Sequence, residues 1–199
     1  STQLQLSSFD SFELSYYPLD SQSGVCPREH MQKVLGFCEK YARSFHSQSG
    51  GILMSGKTGL GKTHLSLAIA QAVIDQGHTV VYATASELVR KLSDQFFGKD
   101  SDTEDILALL GEVDLLIFDD LGAEFESNFS VSAVYDLLNT RLAAGKPLIV
   151  STNLSPAELQ KRYGERIVSR LFSQLVPLNF VGQDVRSILS NQRLGKSLG

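Results

Sequence analysis

The residues best placed to do chemistry form one run, Gly56-Lys57-Thr58-Gly59-Leu60-Gly61-Lys62-Thr63, which fits the phosphate-loop pattern G-x-x-x-x-G-K-[ST] at every fixed position. Glycines at 56, 59 and 61 let the backbone curl around a polyphosphate with its N–H groups turned inward. Lys62 is expected to reach the β- and γ-phosphates of a nucleotide, and the Thr63 hydroxyl to ligate Mg²⁺. A second run, Leu115-Leu116-Ile117-Phe118, ends in Asp119-Asp120. Acids at the carboxyl end of a central strand lie in the crevice where open α/β sheets hold ligands. Asp119 is the expected Mg²⁺ carboxylate, and Asp120 the group that orients or deprotonates an attacking water. The plain alternative is two surface acids capping a turn. Asn153 follows a third apolar run, Leu148-Ile149-Val150-Ser151. It either touches the γ-phosphate or the attacking water, or caps the helix expected over Pro156–Arg162.

These groups need a sheet to bring them together. Gly51-Ile52-Leu53-Met54 reads as a buried strand and Thr63–Gln76 as a helix ending at Gly77. The loop therefore sits between strand and helix, the context its pattern demands. Met31–Phe45 carries apolar residues at three-and-four spacing, an amphipathic helix. Thr79–Ala83 reads as a second strand, and Ala85–Phe97 as a helix capped by Thr84 or Ser86. Ile106–Leu110, Val131–Ala143 and Glu165–Leu175 read as further helices, and Leu178–Val181 as the last strand. Strands alternating with helices predict a parallel sheet covered on both faces. Residues 1–28 read as an arm whose Phe9, Phe12, Tyr16 and Tyr17 either pack beside a base or anchor it to the core. Residues 29–182 form the nucleotide domain, and residues 183–199 a tail that frays.

The 199 residues suffice for one large domain, and a hydrophobic content of 42% supports a full core. A net charge of −4 creates no general attraction for nucleic acid, so any such contact needs a local basic patch. No apolar run is long enough to span a bilayer, and no membrane role is expected. Cys26 and Cys38 fit neither a disulfide framework nor zinc spacing, and read as ordinary thiols of a reducing cytoplasm. A start at Ser1 rather than Met leaves room for a preceding domain.

Gly61-Lys62-Thr63-His64-Leu65, Asp119-Asp120-Leu121-Gly122-Ala123-Glu124 and Ser151-Thr152-Asn153-Leu154 together resemble the DnaC/IstB branch of the AAA+ ATPases. Phe12-Glu13-Leu14-Ser15-Tyr16-Tyr17 and the segment from Tyr163 to Leu171 extend the resemblance over nearly the whole chain. That branch includes bacterial replicative helicase loaders and transposition helper ATPases. The resemblance implies an α/β P-loop NTPase of AAA+ type, with a five-stranded parallel sheet ordered 5-1-4-3-2 and flanking helices, and no C-terminal lid domain of the kind many AAA+ proteins carry is expected in this chain. It implies ATP and Mg²⁺, and homo-oligomers with nucleotide at the subunit interface. It makes His64 part of the nucleotide loop, Asn153 the sensor of the γ-phosphate and Arg186 a second sensor. Arg170 matches an arginine finger acting on a neighbour's ATP. Arg166 is the lesser candidate, and both arginines equally suit a solvated helix face. Asp120 stands where many members have Glu, which predicts slow hydrolysis. No helicase-binding N-terminal domain is read in the chain, which bears on whether it engages a helicase alone.

The function expected first is that of a helicase loader in DNA replication, with ATP switching assembly and its engagement of single-stranded DNA and the replicative helicase. Arg90, Lys91, Phe96, Phe97 and Lys99 mix basic and aromatic side chains, the ingredients of a single-strand platform. The acidic run after Lys99 opposes it, and such phenylalanines more often belong to a core. The competing readings are a transposition helper on duplex DNA, a small-molecule kinase built on the same loop, and an ATP-gated binding module without turnover.

Overall fold

The computed structural model describes residues 6–20, 24, 26–98 and 106–190. Strands β1 (Gly51–Ser55), β2 (Val80–Thr84), β3 (Leu115–Leu121), β4 (Leu148–Thr152) and β5 (Leu175–Asn179) form one sheet. Every pairing is parallel. The order β2-β3-β4-β1-β5 is the expected 5-1-4-3-2 read from the other edge. Helices α1 (Pro27–Arg43) and α2 (Lys62–Asp75) cover one face. The other carries α3 (Ala85–Phe96), α4 (Ile106–Glu112), α5 (Asn128–Ala143), α6 (Pro156–Tyr163) and α7 (Glu165–Gln174).

The alternation of strand side chains divides each apolar run between two cores. Ile52, Met54, Leu115, Ile117 and Ile149 pack towards α1 and α2, whereas Leu53, Leu116, Phe118 and Val150 pack towards α5 and α7. A sheet covered on both faces needs apolar residues at every strand position, which is why these runs are unbroken.

Local chemistry sets the helix starts. Thr84 and Ser155 form reciprocal capping boxes with Glu87 and Glu158. Asn153 is therefore not the cap of α6, which removes the structural alternative for that residue. Ser127 accepts from the Ser130 N–H and starts α5 three residues before the expected Val131. The last strand lies at Leu175–Asn179, not Leu178–Val181. Val176 and Pro177 are exposed on it, and an edge strand with a proline shows little apolar signature. Residues 185–190 are helical rather than frayed. Phe96 and Phe97 are 74% and 63% exposed, not core residues. Lys99 and the acidic run lie outside the described residues. Among the described residues no helix is long and apolar enough to cross a membrane.

Candidate functional site

The loop between β1 and α2 turns at Gly61, which sits before the first turn of α2 with φ 89. That left-handed backbone favours glycine, and an added Cβ would lie 2.7 Å from the Phe12 ring. The arm clamps the loop from this side. The Tyr17 hydroxyl donates to Leu60 O at 2.8 Å, and Phe12 stacks on Tyr17 at 5.7 Å between ring centroids. Arg28 at the start of α1 fixes the arm by donating to Tyr17 O and Ser15 O. His64 lies edge-on to Phe12, with Nε2 3.0 Å from Ser8 O. From the segment after β5, Val185 N donates to Gly59 O at 2.9 Å.

Lys62 is 5% exposed, and its ammonium has three acceptors: Gly56 O at 2.6 Å, Lys57 O at 2.8 Å and Asn153 Oδ1 at 2.6 Å. Burial pushes its pKa down, while Asp120 and Asp119 oppose that shift. Asp119, at the end of β3, is 1% exposed. Its Oδ2 accepts from Thr63 Oγ1 at 2.9 Å and from the Tyr82 hydroxyl at 2.7 Å, and its Oδ1 accepts from Ser151 Oγ.

Adjacent strand residues ordinarily face opposite sides of a sheet, yet Asp119 and Asp120 both serve one site. The register of β3 on β4 slips between Phe118 and Leu121, and Asp120 has φ 55. Aspartate tolerates this left-handed conformation better than most residues, and such a bulge re-aims a side chain. Asp120 then lines the same cavity as the loop. Burial, and next the charge of Asp119, raise its pKa above the usual carboxylate range, against the lowering pull of Lys62 and Arg186.

The cavity, of ≈ 250 Å³, collects Thr58 to His64, Asp120, Asn153 and Arg186. Phe12, Tyr16 and Tyr17 wall one side, and Val185 and Leu189 are also in its lining. Arg170 is not among the lining residues. It donates instead to Asn139 Oδ1 on α5, and Arg166 is exposed. Thus the fold brings Lys62, Thr63, Asp119, Asp120, Asn153 and Arg186 together and leaves Arg170 apart. Sequence reading missed Tyr82 and Ser151, the two further donors to Asp119. Nothing in a strand pattern marks a tyrosine that reaches sideways to the next strand, and a serine closing an apolar run carries no signal of its own.

The donor set suits Mg²⁺. A buried carboxylate beside a threonine hydroxyl offers oxygen ligands at the mouth of a phosphate loop. Among the described residues no group of three or more His, Cys, Asp or Glu side chains gathers. Mg²⁺ is characteristically held by one or two carboxylates plus substrate phosphates, not by an all-protein cage.

A parallel α/β sheet with a glycine loop after its first strand and an acid at the end of a neighbouring one defines a phosphate-loop nucleotide-binding protein. More narrowly, the chain belongs to the family of IstB-like ATP binding proteins, whose model matches residues 37–176. It is similar to the replicative helicase loader DnaC of Escherichia coli (strain K12), 28% identical over 143 residues, 72% of this chain and 58% of the relative. The chain thus spans less than two thirds of that relative's length. A crystal structure of the DnaC helicase loader superposes with a TM-score of 0.73 at 22% identity, covering 88% of this chain and 97% of that one. A crystal structure of DnaI gives 0.67 at 23% identity, covering 89% of each. At these identities the structural matches carry the fold.

Proposed function

We propose that the chain binds and slowly hydrolyses ATP, and that this switches a replicative helicase loader between assembled and released states. The observation that carries the reading is the meeting of Lys62, Thr63 and Asn153 at one cavity, with the buried Asp119 bonded to Thr63 behind it, so that the loop is linked to the ends of β3 and β4. Mg²⁺ would be held by Thr63 and Asp119 and would neutralise charge on the transferring phosphoryl group. Lys62 would exchange its loop carbonyls for β- and γ-phosphate oxygens. Asn153, released from Lys62, is then free to bond the γ-phosphate or the attacking water. Asp120 orients that water and accepts its proton. Arg170, outside its own chain's cavity, would serve a neighbour's ATP, so the site is completed only by assembly.

The loader role rests on the DnaC relatives, which favour it over an IstB-like transposition helper. Single-stranded DNA would lie across the exposed Phe96 and Phe97, whose rings cluster with the half-buried Phe129 near Arg90, with the exposed Lys91 on the same helix. The test is the mass in solution with a non-hydrolysable ATP analogue, with and without a single-stranded oligonucleotide, followed by capture assays against replicative helicase and transposase. Analogue-dependent growth in mass with helicase capture is expected. A monomer under all conditions that captures no helicase refutes the loader reading, and capture of transposase alone replaces it.

A further inference from the structure

Asp119 is held more firmly than a phosphate loop requires. The Thr63 hydroxyl would suffice to join the loop to the acid. Two more donors arrive from the strands on either side: Tyr82 from β2 at 2.7 Å on Oδ2, and Ser151 from β4 on Oδ1. In register Tyr82 pairs with Ile117 and Thr84 pairs with Asp119, so the phenol reaches diagonally, two residues along the sheet. Ser151 Oγ also accepts the Asp120 N–H at 2.9 Å, tying the bulge to the same point. An ionised carboxylate offers about four lone-pair sites. Three are taken, by donors from α2, β2 and β4, and turning the carboxylate would break all three bonds. The Tyr82 ring packs against the α1/α2 side of the core. A phenylalanine would pack as well, so what the hydroxyl adds is the bond to Asp119.

We propose that Tyr82, with Ser151 opposite, is a positioning residue that sets the Asp119 carboxylate in its Mg²⁺-receiving orientation before nucleotide arrives. This rests on the ATP-site reading given above. Groups that orient a metal ligand act on metal affinity and need not touch the nucleotide. Tyr82→Phe deletes one oxygen and keeps the ring, so the fold is preserved.

The test uses a fluorescent, non-hydrolysable ATP analogue bound to the intact chain, first in EDTA and then at rising Mg²⁺. For Tyr82→Phe, affinity in EDTA should match wild type, while the Mg²⁺ concentration giving half of the metal-dependent signal rises about tenfold. Ser151→Ala should move the same midpoint in the same direction. An unchanged midpoint in Tyr82→Phe overturns the proposal. So does an equal loss of affinity in EDTA with a lowered melting temperature, which would make Tyr82 a packing residue only. If the wild-type chain binds no analogue, or binds it without regard to Mg²⁺, the ATP-site reading fails and this inference falls with it.

Discussion

Lys62→Ala tests the site most directly, because the structure shows what the ammonium does before nucleotide arrives. Its three N–H groups go to Gly56 O, Lys57 O and Asn153 Oδ1. Binding must replace these neutral acceptors with charged phosphate oxygens. A hydrogen bond with one charged partner contributes about 1.5–3 kcal/mol. Any bond with an ionised partner is roughly twice as strong as a neutral pair, and a phosphate acceptor adds the Coulomb attraction of opposite charges that a carbonyl lacks. Only the difference between the two sets counts, summed over contacts to the β- and γ-phosphates. That leaves about 2–4 kcal/mol, or roughly thirty- to a thousandfold in dissociation constant. Titration calorimetry with ATP, ADP and AMP reads it. The loss should be large for ATP and ADP and small for AMP, which lacks the phosphates Lys62 reaches. In parallel, ATP should raise the melting temperature of wild type and not of the variant. ATP affinity equal to wild type in a folded Lys62→Ala protein would refute the reasoning, because no other buried cation lines the described part of the cavity.

Asp120→Asn should bind ATP and lose about 10²–10⁴-fold in turnover, read by phosphate release. It also carries a stability prediction with a definite sign. Burial and Asp119 hold the Asp120 pKa above its unfolded value, so the stability tied to its protonated form is lost as pH rises through the folded value. Asparagine removes that penalty and tolerates φ 55, so the melting temperature should rise relative to wild type at neutral pH and the gap should close in acid. Arg170→Ala should keep nucleotide affinity, since its partner is Asn139 rather than the cavity, and lose about 10³-fold or more of assembly-dependent turnover. Full activity under assembling conditions refutes the trans role. Glu124→Ala strips the counter-charge from Arg162, whose side chain is 14% exposed and paired at 2.9 Å with a carboxylate only 1% exposed. The expected cost is about 3–5 kcal/mol in urea unfolding, and an unchanged midpoint would contradict the pairing.

The floor of the site was legible in sequence because local rules dictate it. A glycine loop between strand and helix, and acids closing a doubly covered strand, are patterns a few residues long. The walls are legible only in outline: Phe12, Tyr16 and Tyr17 read either as neighbours of a base or as anchors and Arg186 enters through the resemblance, but the bonds of Tyr17 and Val185 to the loop do not show in the sequence. Contacts over such separations leave no period to read. The last strand shifts for a related reason: the apolar residues Leu178 to Val181 suggest it, whereas the partners of β1 at this edge are Leu175 to Asn179, three of the five exposed. The pair Asp119-Asp120 shows the reverse case. Both acids were assigned to the site although a regular strand would have separated them, and only the slip in register after Phe118 reconciles the two.

The contrast between floor and walls bears on how the site works. Asp119, Thr63, Tyr82 and Ser151 are joined across α2, β2, β3 and β4, so the oxygen cluster moves only if the sheet does. The arm is tied to the loop by several contacts, Tyr17 to Leu60 O, His64 Nε2 to Ser8 O and the buried rings of Phe12 and Tyr17, whereas the segment after β5 bonds the loop through Val185 N to Gly59 O. An element held by few bonds opens at a low free-energy cost, whereas one inside the core opens only with the whole fold. Nucleotide entry at the proposed site would therefore disturb the helix over residues 185–190 before it disturbed the arm or the acids. Both segments bond loop carbonyls, so under the proposed function occupancy of the loop would reach each of them. A switch needs a rigid reader and a compliant lever, and under the proposed function the sheet ends would supply the first and the segment after β5 the second.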